Sequence, residues 1–243
     1  MRWLLISAIQ LLFTLFLYAV GIIIIGLAVF PGVLLVFNVW KTAAVYQPAI
    51  RILFLCLSMT AAYFVYGISL ILLVGIVRIV FRLSLREGEY PLHSLGAFRW
   101  ALINSLVLVV SNTFMDFILL TPFINIFYRL MGAKLGKNVQ INTKFCADLS
   151  LLEIGDGAVI GGHATVIGHS FERSRIILKK VKIGKSSIIG LNSVILPGAD
   201  IGDGALIAAG AVLAKNTVVE PRNVYFGVPA TSLKERHKHK REE

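Results

Sequence analysis

The chain has 243 residues, 57% of them hydrophobic and only 15% charged, and it carries a formal charge of +11. That composition excludes an ordinary soluble domain and implies a membrane. The basic excess sits in Arg78, Arg82, Arg86 and Arg99 and in a tail of Lys234, Arg236, Lys238, Lys240 and Arg241, with no recognisable nucleic-acid module. It therefore points to anionic headgroups on the cytoplasmic face, not to DNA or RNA. Cys56 and Cys146, the only two cysteines, exclude a disulfide framework.

Apolar density falls off near residue 130, which divides the chain into a membrane region (1–130), a second domain (131–230) and a basic tail (231–243). Trp3 to Trp40 is a run of 38 residues without a charge, against the roughly 20 that span a bilayer. It follows a single Arg2 and lacks a small-residue cleavage site, so it reads as a retained anchor. It is either one span with an interfacial extension or two elements meeting at Pro31-Gly32. A second span is predicted over Ile52–Val77, between Arg51 and Arg78. The third apolar stretch, Ala101–Phe127, carries Asn104, Asn112, Asp116 and Pro122, which are costly in lipid, and predicts an in-plane or re-entrant hairpin. Two spans plus such a hairpin leave Arg2, the arginine cluster and the second domain together on the cytoplasmic side, a multi-pass arrangement obeying the positive-inside rule. Asp116 reads as either a contact to an acceptor headgroup or a structural hydrogen bond.

A six-residue period governs the second domain. Ile183, Ile189, Ile195, Ile201, Ile207, Leu213, Val219 and Tyr225 recur at an unvarying step, and four places after each stands a small or turn-compatible residue, from Ser187 and Ser193 to Asn223 and Pro229. The same phase appears upstream at Ile154, Ile160 and Val166 and, with one residue inserted, at Leu135 and Ile141. One step is a flat strand plus a corner, so three steps close a triangular coil and eighteen residues climb one strand spacing, roughly 4.8 Å. An ordinary sheet would alternate every two residues over variable lengths instead. The pattern predicts a three-sided parallel β-helix, with glycines such as Gly184, Gly190 and Gly202 at its turns and the amphipathic hairpin shielding its first coil.

The hexads "IGDGAV", "IGGHAT", "IGKSSI", "IGLNSV", "IGDGAL" and "IAAGAV", and the ending "YFGVPA" at Tyr225–Ala230, resemble those of the hexapeptide-repeat acyltransferases over about two fifths of the chain. The entry "YRLMGAKLGKNVQI" from Tyr128 is similar to the junction in membrane-bound members, including acyltransferase-like domains at the ends of some peptide synthetases. The resemblance implies an α-helical transmembrane N-terminal region followed by a left-handed parallel β-helix, a homotrimer, and acetyl-CoA or another acyl-CoA in the groove between adjacent prisms, with no metal. It further implies a catalytic histidine on a loop leaving one coil. The hexad phase breaks after Val166 and resumes at Ile183, and His169 opens that excursion. His169 is thus the candidate general base, with Glu172 either orienting its ring or pairing with Arg173 or Arg175. Hexad matching puts the backbones of Leu191 and Ala209 at pantetheine positions, Lys215 at a CoA phosphate, and Arg222 as a second phosphate contact or a solvated charge. His163, one hexad earlier, reads as a surface residue.

The activity expected from this resemblance is transfer of an acetyl or other acyl group to a hydroxyl or amine, and the membrane half of about 130 residues points to a membrane-associated glycan, lipid or polymer precursor as acceptor. The acceptor would be lipid-linked or delivered at the membrane. The gamma-class carbonic anhydrases share the prism, but zinc needs three protein ligands, and His163 and His169 lack a third partner in the repeat. The remaining alternative is a non-catalytic trimeric membrane scaffold, in which nothing depends on His169 or Lys215.

Overall fold

The structure, a computed structural model, describes residues 2–233; the basic tail from Lys234, with His237 and His239, lies outside the described residues. The first apolar run forms one helix, α1 (Arg2–Thr42), which continues through Pro31. Its 41 residues reach about 60 Å, twice the thickness of a bilayer's hydrocarbon. Helix α2 (Pro48–Val80) starts on a proline, whose fixed φ suits the first turn. Gly32 lets α1 and α2 approach closely, since a Cβ there would lie 2.8 Å from the Ala62 carbonyl oxygen.

A short strand, β1 (Gly88–Pro91), precedes α3 (Leu95–Thr113), whose Ala97 N–H donates to the Ser94 hydroxyl at the N-cap. Helices α1, α2 and α3 are each long and apolar enough to cross a membrane. The segment predicted as a hairpin is α3 together with α4 (Pro122–Leu130), and α3 buries Ile103, Leu106, Val107 and Val110 against protein. Helix α4 buries Ile124, Phe127 and Tyr128 under the first coil, and Asn125 Nδ2 donates to the Val139 carbonyl at 2.9 Å. Between α3 and α4, Asp116 pairs with Lys144 at 2.7 Å, so its carboxylate ties the helical region to the repeat domain.

The repeats wind into a prism of three parallel ladders. The first face stacks β2 (Lys134–Leu135), β4 (Leu152–Ile154), β9 (Val181–Ile183), β12 (Asp200–Ile201) and β15 (Val218–Val219). The second stacks β3 (Gln140–Ile141), β5 (Val159–Ile160), β10 (Ile188–Ile189), β13 (Leu206–Ile207) and β16 (Val224–Phe226), with β17 (Thr231–Ser232) added antiparallel. The third stacks β6 (Thr165–Val166), β11 (Val194–Ile195) and β14 (Val212–Leu213), joined below by a bridge from Cys146 to Val166. Register partners such as Ile183 and Ile201, or Ile189 and Ile207, are eighteen residues apart, one coil of three hexads. The aliphatic positions from Ile183 to Val219 are buried, as are Ser187, Ser193, Ala199, Ala205 and Ala211. The prism is a left-handed parallel β-helix.

The corners work differently from the expectation. Positive φ recurs every six residues at Ser186, Asn192, Gly198, Gly204, Gly210, Asn216 and Arg222, and not at Gly184, Gly190 or Gly202. Those three are glycine because successive coils stack tightly there: a Cβ on Gly190 would stand 2.5 Å from the Ala209 nitrogen. His163 occupies one of the left-handed corners, at φ 56°.

The excursion after Val166 is a hairpin where a loop was expected. β7 (His169–Glu172) and β8 (Arg175–Leu178) pair antiparallel across a two-residue turn, with Arg173 at φ 53°. Helix-region strand β1 then adds to the outer side of β8, giving the order β1-β8-β7. Ile176 and Leu178 bury the hairpin's apolar face.

Candidate active site

His169 begins β7 where the chain leaves the edge between the third and first faces. Its Nδ1 lies 2.6 Å from Oδ2 of Asp148, and its side chain keeps 20% of its surface exposed while Asp148 keeps none. A buried carboxylate needs compensating donors, and Asp148 has them. Oδ1 accepts from Trp100 Nε1 at 2.7 Å and Asn104 Nδ2 at 3.2 Å, and Oδ2 also accepts from the Gly168 N–H at 3.0 Å. Asp148 sits at φ 55°, a left-handed conformation that aspartate tolerates, just before a short 3-10 turn, Leu149–Leu151. The Trp100 ring meets the imidazole edge-on at 4.9 Å and Phe171 at 5.4 Å.

Glu172, expected either to orient the imidazole or to pair with Arg173 or Arg175, is bonded elsewhere, to Lys215 Nζ at 2.6 Å and the Ser170 hydroxyl at 3.1 Å. Strand geometry explains this, because residues three apart on β7 face opposite sides of it, whereas His169 and Phe171 share one. The hydrogen bond from Lys215, then that from Ser170, holds the Glu172 carboxyl below the usual carboxylate range. Asp148 belongs to no motif in the sequence; the one signal for it is the extra residue inserted into the hexad phase between Ile141 and Ile154.

The other candidates fall on different edges of the prism. Lys215, between β14 and β15, shares the edge of His169. Leu191 and Ala209, at the β10–β11 and β13–β14 corners, stack one coil apart on a second edge, and Arg222, between β15 and β16, lies on the third. On that third edge the corner amides of Lys137 and Lys185 donate to Oδ1 of Asp156 and Asp203, both at 2.7 Å. Among the described residues, the amides of Leu191 and Ala209 have no such acceptor. One chain therefore brings His169, Glu172 and Lys215 together and leaves Leu191, Ala209 and Arg222 apart from them.

Residues 180–215 match the model of the bacterial transferase hexapeptide family (six repeats). A delta-poly-L-ornithine synthetase of Acinetobacter baumannii is 24% identical over 152 residues, which are 62% of this chain but 11% of that protein, so the chain spans about a tenth of the length of this curated relative. A maltose O-acetyltransferase from Clostridium difficile aligns in structure at 19% identity with a TM-score of 0.46, over 61% of this chain and 92% of that one. A hexapeptide-repeat acetyltransferase from Vibrio cholerae, solved with acetyl coenzyme A, aligns at 26% identity with a TM-score of 0.38, over 42% of this chain and 59% of that one. With the three-faced ladder and the matched repeats on one side and three long apolar helices on the other, the chain carries a hexapeptide-repeat domain of the bacterial transferase kind behind a helical membrane-type region.

Proposed function

We propose that the chain is a membrane-bound acyltransferase that moves an acetyl or other acyl group from acyl-CoA to a hydroxyl or amine of a membrane-associated glycan, lipid or polymer precursor. The observation that carries this reading is the His169–Asp148 pair. With Nδ1 directed at a buried carboxylate, the neutral ring presents Nε2 as the proton acceptor, and the carboxylate stabilises the imidazolium that forms. Acyl-CoA supplies the activated thioester. Nε2 takes the proton of the acceptor hydroxyl or amine as that atom attacks the thioester carbon, then returns it to the departing thiolate.

The unpaired amides of Leu191 and Ala209 suit the amide groups of an extended pantetheine arm, and Lys215 suits a phosphate. Because they lie on different edges, a groove containing both His169 and the Leu191–Ala209 edge forms when two prisms stand side by side, which supports a homotrimer with its sites between subunits. Helices long and apolar enough to cross a membrane support an acceptor held there, and the arginines at the end of α2 favour the cytoplasmic face, where acyl-CoA is made.

The test is transfer of label from radioactive acetyl-CoA into an organic-extractable product by membranes containing the wild type or His169→Ala. Label dependent on His169 supports the proposal. Label that appears equally with the variant refutes it, and no label from acetyl-CoA or longer acyl-CoAs with either favours the scaffold.

A further inference from the structure

We infer that helix α3 is a working part of the active site, with Trp100 and Asn104 as positioning residues that set His169 through Asp148; this rests on the acyltransfer reading above. Trp100 and Asn104 stand one helical turn apart, so both side chains leave α3 on the same face, and both donate to Oδ1 of Asp148. The opposite oxygen faces His169 and the Gly168 N–H. Of the side chains that hold this carboxylate, the two on Oδ1 come from outside the repeat domain, from a helix apolar enough to cross a membrane.

A second tie holds the same parts together. Strand β1 enters α3 within four residues and pairs with β8 over four positions, from Gly88 opposite Leu178 to Pro91 opposite Arg175, while Glu89 pairs with Arg175 at 2.9 Å. The hairpin that carries His169 and the helix that holds Asp148 are thus one assembly, closed by the Trp100 ring on the imidazole. A shift of α3 along or about its axis withdraws donors from Oδ1 and turns the acid away from the imidazole. The membrane-type region therefore does more than anchor the prism.

The experiment uses the full chain in detergent or nanodiscs. Trp100→Phe keeps a ring and loses its N–H; Asn104→Leu keeps the bulk and loses its donor. Each is expected to lower kcat by roughly ten-fold or more, the size of one hydrogen bond to a charged group, while KM for acetyl-CoA holds. Asn104→Gln, which keeps a donor amide, is expected to recover part of the rate. A readout independent of turnover follows from the ring contact. With Trp3 and Trp40 changed to Phe, Trp100 is the only tryptophan, and its emission should respond to the His169 ring packed against it, 4.9 Å between centroids. That response should vanish in His169→Ala and shift in Asn104→Leu. Unchanged kcat in both variants overturns the inference, as does an emission profile that His169→Ala and Asn104→Leu leave untouched. If the wild type transfers no acyl group, the proposed function fails and the emission profile alone decides whether α3 sets His169.

Discussion

His169 Nδ1 and Asp148 Oδ2 stand 2.6 Å apart, with the carboxylate sealed from solvent and the imidazole open on one side. That asymmetry is what a general base requires: a fixed tautomer on the buried nitrogen and a free lone pair on the exposed one. His169→Ala should lower acyl transfer by about a hundred-fold or more at saturating substrate while the protein folds and assembles normally, as checked by gel filtration and steady-state rates.

Glu172 and Lys215 make a different prediction from the dyad. Lys215→Ala should raise KM for acyl-CoA several-fold with little change in kcat, if its ammonium meets a CoA phosphate. Glu172→Gln should leave kcat nearly intact, because the Glu172 carboxylate is bonded to Lys215 and Ser170. A kinetic comparison of the two variants checks both statements.

The lowered pKa of Glu172 fixes the direction of a pH effect. A carboxyl whose folded pKa is depressed stabilises the fold above its unfolded value and loses that contribution as pH falls through the folded value. The wild type should therefore keep a small margin in Tm over Glu172→Gln at neutral pH. That margin should persist to the ordinary carboxylate pKa and disappear only below it, in paired thermal melts across the acid range.

Burial pushes the Cys146 thiol up to about 12. Since only the thiolate alkylates readily, Cys146 should resist iodoacetamide at pH 8 in the folded protein and react once it is unfolded in denaturant. Mass spectrometry of the Cys146 peptide gives the answer, and rapid labelling in the native state contradicts the packing described.

Ile188 and Ile189 are neighbours in β10 with opposite environments, the first half exposed and the second enclosed in the prism. Ile189→Ala should cost about 2–5 kcal/mol of stability through the lost burial and the cavity left behind. Ile188→Ala should cost about 0.5 kcal/mol or less unless the face is covered by another subunit. Denaturant titration of both variants measures the difference.

The prism was legible in the sequence because each interior position is filled once per hexad, so Ile183 through Val219 announce the coil directly. The excursion at His169 was legible as a break in that count, but its form was not. "HSFE" and "RIIL" carry the alternation of a hairpin, and reading them as strands would have put Glu172 on the face away from His169. Asp148 was hidden for a different reason. It lies 21 residues before His169, outside the hexad phase, and two of its donors come from Trp100 and Asn104, more than 40 residues earlier. Nothing local joins those three segments; tertiary packing does. The polarity of Asn104, costly for a helix placed in lipid, serves Asp148 instead.

The most direct measurement is the rate of acyl transfer from labelled acetyl-CoA by membranes carrying the wild type, His169→Ala, Asp148→Asn or Glu172→Gln at equal protein. The dyad predicts a deep loss with the first two variants and near wild-type rates with Glu172→Gln. Full activity in Asp148→Asn, or a loss confined to Glu172→Gln, would contradict the account.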